Sequence, residues 1–195
     1  MPEPVELKTE RMLLRPYRLT DAEDVFAYAK DPEWSLYLGR RMPGPYLRRD
    51  ADEYVAKRIL APWDSNPTFA MVLDSTVIGG IGLKKRESRD DAELGYEMAR
   101  THWRKGLMTE AAHAVVDWGF KNLGLAKIFA MTDLPSQGSW LVIEKLGMTR
   151  EGVLRREIIV KGQPVDDLYY GLLREEWEAG RASRPLSQSC RCTDR

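Results

Sequence analysis

Among 195 residues there are only two cysteines and two histidines, neither charge sign is in excess, and no apolar run is long. Each shortage excludes something. Cys190 and Cys192 both fall within the last six residues, so no disulfide framework spreads through the chain. Two thiols without nearby histidines cannot complete a tetrahedral zinc site, and no metal is expected. Thirty basic side chains balance thirty acidic ones. That balance argues against a generic polyanion binder, so no direct nucleic-acid partner is expected. No stretch approaches the ~20 apolar residues that cross a bilayer, and the N-terminus shows no basic-then-apolar leader. The expected location is cytoplasmic, away from membranes.

What is present is enough to build a core. Apolar residues make up 43% of the chain and include six tryptophans. Residues 1–180 read as one domain. Residues 181–195, rich in Arg and Ser with almost no apolar content, read as a flexible tail. The tail holds four arginines against one aspartate, which leaves the body mildly acidic.

Two periodicities alternate through the body. Residues 12–15, 68–73, 76–83, 92–98, 126–132, 152–160 and 165–173 read as strands. Helices are predicted from Thr20-Asp21 to about Ala29, over 50–60, over 107–122 and over 136–146. The order predicts an α/β (α+β) fold, a mixed, mostly antiparallel sheet of six to seven strands with helices on both faces. Its one parallel crossover runs from strand 92–98 through helix 107–122 to strand 126–132. On that helix Glu110, His113, Asp117 and Lys121 form a face expected to be solvated. Gly79-Gly80-x-Gly82 lies inside a strand pattern, where it signals a bulge or close backbone packing rather than a phosphate loop.

The informative junction is Glu93-Leu94-Gly95-Tyr96-Glu97-Met98, then a short basic loop, then helix 107–122. The first amides of a helix lack partners within it, and its dipole places partial positive charge there. Gly106 lets the backbone approach a ligand closely, and Arg104 and Lys105 add charge. The junction is suited to a small anion such as a pyrophosphate. An ordinary basic surface at a helix start stays open as a second account.

Trp103-Arg104-Lys105-Gly106-Leu107-Met108-Thr109-Glu110-Ala111-Ala112 resembles the acetyl-CoA loop of the GNAT superfamily of N-acetyltransferases, in particular the branch that acetylates N-terminal residues of ribosomal proteins. Further segments resemble that branch in the same order. They are Thr9-Glu10-Arg11-Met12-Leu13-Leu14-Arg15-Pro16, residues 78–83, residues 139–148 and residues 167–177, the last of which resembles the terminal strand. The resemblance implies acetyl-CoA as co-substrate, with the amides of Arg104 to Met108 around its pyrophosphate and Trp103 and Thr109 beside them. It also implies that Glu97 and Met98 hydrogen-bond the pantetheine arm, while the next strand splays away to admit the thioester.

Direct attack of an amine on a thioester needs a base, an oxyanion donor and a donor for the thiolate. Glu97 and Glu93 are candidate bases, since two-residue periodicity places both on one strand face. His102 and His113 are weaker ones. A backbone amide near Met98 is the candidate oxyanion donor. Many members of the superfamily carry tyrosine where Ile143 stands, and isoleucine cannot donate a proton. Ser139 matches the branch's usual serine and is the candidate partner of the sulfur, and Ser136 stands where asparagine is usual. Met108 replaces a small residue and is expected to narrow the phosphate site. The aromatic and arginine residues Trp34, Tyr37, Arg40, Arg41, Tyr46, Arg48 and Arg49 either face the acceptor or simply pack and solvate. The acceptor is expected to be a protein N-terminus. Alternatives are a small amine such as a polyamine, amino acid or aminoglycoside-like compound, or a non-catalytic CoA-binding module. Exposed aromatics permit a homodimer.

Overall fold

In the computed structural model, described for residues 3–36, 45–160 and 162–182, the central strands are apolar on both sides. β3 (Thr68–Leu73) and β4 (Thr76–Lys85) are buried along most of their length, because helices cover both faces of the sheet. The other strands are β1 (Leu7–Lys8), β2 (Leu13–Pro16), β5 (Asp91–Met98), β6 (Lys127–Asp133), β7 (Thr149–Val160) and β8 (Gln163–Leu173). They form an eight-stranded sheet in the order β1-β2-β3-β4-β5-β6-β8-β7, with β5 and β6 the parallel pair. The expected six to seven strands become eight through β1. Its two residues carry too little pattern to be seen in sequence, yet they pair with Leu13 and Leu14.

Two cores result. α1 (Ala22–Ala29), α2 (Pro32–Leu36) and α3 (Arg48–Leu60) enclose Tyr17, Val25, Trp34, Tyr46, Val55, Ala70 and Val77 on one face. On the other face α4 (Leu107–Asn122) and α5 (Gln137–Lys145) bury Phe69, Ile81, Leu83, Leu94, Val115, Trp118 and Ile143. Trp34 and Tyr46 are therefore packing residues, while Arg48 meets Glu23 and Asp52 at the surface. Tyr37, Arg40, Arg41, Cys190 and Cys192 lie outside the described residues. The buried Arg15–Asp21 pair joins the end of β2 to the start of α1, with two bonds of 2.8 Å. It thereby fixes where the adjacent Tyr17 projects.

β8 ends at Leu173, where the sequence pattern ends the strand, and Arg174–Ala182 is a helix, α6, so the segment 167–177 that resembles the family's terminal strand turns helical over its last four residues. α6 lies over the supposedly solvated face of α4. Trp177 Nε1 donates to Asp117 at 2.6 Å, Arg181 pairs with Asp117, and the Trp177 ring stacks on Phe120. His113 is correspondingly half-buried.

Candidate active site

β5 and β6 part company early. Their pairing covers Asp91–Glu93 against Lys127–Phe129 and then stops, so a slot opens beside Leu94–Met98. The Ala99 N–H donates to Ile78 O at 2.8 Å. By the alternation of an antiparallel ladder, the main-chain groups of Tyr96 and Met98 then turn away from β4, toward the slot. Those of Glu97 point back to Gly80. This corrects the expectation that the Glu97 backbone meets the pantetheine arm. The Met98 carbonyl is also committed, because it accepts from the indoles of Trp34 (3.0 Å) and Trp103 (2.8 Å). The groups turned to the slot and open to a ligand are thus the Met98 N–H and both main-chain groups of Tyr96.

The loop below the slot has the character expected of an anion cradle. Arg104 (φ 60°) and Gly106 (φ 77°) are left-handed, a strained conformation for arginine. No side chain caps α4, whose first internal bond runs from Glu110 N to Gly106 O. The amides of Leu107, Met108 and Thr109 are left pointing outward at the positive end of the helix. Arg104 and Lys105 are exposed beside them. Leu107 and Met108 turn their side chains into the core and present only backbone, so Met108 does not narrow the site. The free amides and exposed cations of this loop fit a pyrophosphate in chemistry and charge.

Sequence reasoning missed the residue that holds this loop. Arg11, in the β1–β2 turn, donates to Lys105 O at 2.8 Å and pairs with Glu110 at 2.6 Å, while its own N–H donates to Glu110. The signal was the arginine inside Thr9-Glu10-Arg11, whose reach is set by tertiary structure. Arg11→Ala is expected to raise KM for acetyl-CoA about fivefold and leave kcat within twofold, the net effect of losing two partly exposed side-chain bonds. Steady-state kinetics with varied acetyl-CoA will check it.

Glu97 projects to the other face, over Gly80. It accepts from the Tyr54 hydroxyl, and the Tyr17 hydroxyl also points into the space above Gly80. The Arg58 guanidinium lies 4.6 Å over the Tyr54 ring, with its Nε buried and unpartnered. Burial holds the Glu97 carboxyl above the usual carboxylate range, opposed by the Arg58 charge and the Tyr54 bond. The same burial pushes Tyr17, Tyr28 and Tyr54 well above ordinary phenols. Glu93 does not converge with Glu97. It occupies the last paired rung, four residues and about 13 Å along the strand. On the α5 side, Ser136 is the N-cap and Ser139 lies one turn on, with its Oγ and its carbonyl each 3.0 Å from the Tyr96 hydroxyl. His102 sits on a short 3-10 turn against Thr101, held below its usual range by burial and by Lys105. Among the described residues no cluster of His, Cys, Asp and Glu could hold a metal ion, and no helix is long and apolar enough to cross a membrane.

The comparisons agree with this geometry. Residues 11–149 match the family model described as an acetyltransferase (GNAT) domain. YoaA of Bacillus subtilis, named an uncharacterized N-acetyltransferase, is 32% identical over 174 residues, covering 86% of this chain and 96% of its own. YdaF of the same organism, named as a candidate ribosomal N-acetyltransferase, is 30% identical over 109 residues, which is 55% of this chain and 60% of its own. A GNAT-family acetyltransferase from Bacillus anthracis superposes with a TM-score of 0.78 at 29% identity, covering 88% of this chain and 99% of its own. A backbone slot beside a splayed strand, a helix start shaped for pyrophosphate and these likenesses together place the chain in the GNAT family, as an acetyl-CoA-dependent N-acetyltransferase.

Proposed function

We propose that the acceptor is the α-amine of a protein N-terminus and that Glu97 is the base that deprotonates it. The observation that carries this reading is the setting of Glu97, a carboxylate raised by burial, accepting from the Tyr54 hydroxyl and within the influence of the Arg58 charge. An α-ammonium ionises near pH 8, about 2.5 units below a lysine or simple alkylammonium. A carboxylate base can strip it far more readily. Arg58 points the same way. A cation near the base repels the second ammonium of a polyamine. YdaF's name is consistent with a protein acceptor.

In this mechanism the loop amides from Arg104 to Thr109 hold the pyrophosphate, with Lys105, Gly106, Leu107 and Met108 contributing backbone. The slot-facing main-chain groups of Tyr96 take the pantetheine arm. The Met98 N–H is then positioned for the carbonyl oxygen that gains charge on attack. Ser139 lies on the leaving side, and Ser136 borders it.

The test is thiol release from acetyl-CoA with a panel of acceptors. The panel includes peptides with a free α-amine, the same peptides blocked at that amine but containing lysine, spermidine, and free amino acids. Turnover is expected with the unblocked peptides, together with mass gain at residue 1. Release with spermidine or amino acids alone would replace the peptide reading with a small-amine one. CoA binding without turnover on any acceptor would indicate a binding module.

A further inference from the structure

We infer that Tyr96 is a catalytic residue of the acetyl transfer, its hydroxyl donating a hydrogen bond to the sulfur of CoA as the C–S bond breaks. This rests on the transfer reading above and supplies the group that receives the leaving side.

The first support is the strand's own geometry. Consecutive residues project to opposite faces. Glu97 goes to the Tyr17–Tyr54 face, and Tyr96 goes to the face of α4 and α5, where its ring packs against the main core. A thioester lying along the slot edge at Tyr96–Met98 is therefore flanked by a carboxylate on one side and a phenol on the other. Displacement needs this division, because the amine must lose protons where it enters and the sulfur must be met elsewhere.

The second support is where the phenol ends. Its hydroxyl donates to Ser139 O at 3.0 Å and lies 3.0 Å from Ser139 Oγ, within the first turn of the nine-residue α5. Negative charge on sulfur is favoured there by the dipole's positive end. When the phenol's proton leaves the Ser139 carbonyl and turns to the sulfur, the Ser139 hydroxyl can donate to the phenol oxygen and keep it oriented. Ile143, one turn further on and fully buried, offers no polar atom. Burial also pushes the Tyr96 phenol up to about 12, so it keeps its proton at neutral pH and remains a donor.

The balance is as follows. An ammonium acceptor gives one proton to Glu97, and its nitrogen lone pair adds to the thioester carbon. The tetrahedral intermediate collapses, the C–S bond breaks, and the electron pair goes to sulfur. The nitrogen's second surplus proton ends on that sulfur, giving amide and CoA thiol. Tyr96 holds the thiolate by hydrogen bonding in the interval and keeps its own proton, since an ordinary thiol, near 8.5, is the stronger acid.

The experiment titrates the thiol of bound CoA by thiolate absorbance across a pH series and measures turnover beside it. Bound CoA is expected to ionise below free CoA in the wild-type protein. Tyr96→Phe is expected to raise the bound value by about one unit and lower kcat about a hundredfold, the scale of one lost donor, with CoA affinity within twofold. A folded Tyr96→Phe protein with the wild-type titration and kcat overturns the inference. Should that variant not fold, Ser139→Ala is the second test. A smaller rise in the same direction supports the inference, and an unchanged titration overturns it. If the wild type releases no thiol with any acceptor, the transfer reading falls, yet the titration still decides whether Tyr96 meets the sulfur.

Discussion

Glu97→Gln is expected to lower kcat/KM at pH 7 by about a thousandfold, within the range removed with a general base. The pH profile distinguishes lost chemistry from lost structure. In the wild type, activity is expected to rise as Glu97 ionises, on a limb above the ordinary glutamate range because burial raises the group. In the variant the limb moves to the acceptor's own ionisation, near pH 8 for an α-amine. An unmoved limb would remove Glu97 from the role. Stability should change in the opposite sense from activity. The folded state binds the Glu97 proton more tightly than the unfolded state does. Below the unfolded value of 4.5 both states are protonated and the group carries no penalty. As pH rises through the folded value, the native state loses relative stability. Glutamine avoids that loss, so the variant should melt slightly above the wild type at pH 7, with the gain gone below about pH 4.5. Thermal melts at both pH values will check this.

Much of this site could be read from residues, and the portion that could not has identifiable causes. The junction from Glu93 to Ala111 carries its chemistry locally. A strand, a left-handed glycine and an uncapped helix are all encoded within about twenty residues, so the anion cradle was legible. Strand parity put Glu97 and Glu93 on one face, and the position of Glu97 nearer the strand's end favoured it, but where the splay begins could not be read. That depended on where the β5–β6 pairing ends, a property of two segments 36 residues apart. Tertiary structure also commits the Met98 carbonyl, which accepts from the indole of Trp34, 64 residues away, as well as from that of Trp103. α6 was missed because Arg174–Ala182 has a single large apolar residue, Trp177, and no stripe. Its start was nevertheless marked. Glu176 accepts from the Leu173 N–H at 2.9 Å, and Glu175 and Arg181 complement the helix dipole at its two ends.

Gly79→Ala and Gly80→Ala, one residue apart on β4, are expected to fail in different ways. At Gly79 an added Cβ would run into the Glu97 carbonyl and stand 2.9 Å from Met98 Cα, both of them backbone. Relief would require parting β4 from β5, beside a bulge that already shifts the β3 register at Met71 and Val72. The expected cost is about 3 kcal/mol, a fall in Tm of about 6–12 °C for a chain of this size. At Gly80 the obstacles are side-chain tips. The new Cβ would overlap the Tyr17 hydroxyl and Glu97 Oε1 and come within 3.2 Å of the Tyr54 hydroxyl. Tips can swing aside, and alanine also reduces the freedom of the unfolded chain, so Tm should stay within about 3 °C. The groups displaced, however, are the proposed base Glu97 and the hydroxyls around it. A misplacement of about 1 Å there is expected to reduce kcat about a hundredfold, with KM for acetyl-CoA unchanged because the slot and loop lie on the other side of β5. Should Gly80→Ala keep full activity while losing stability as Gly79→Ala does, the convergence over Gly80 would be a packing contact and Glu97 would lose its geometric claim as the base.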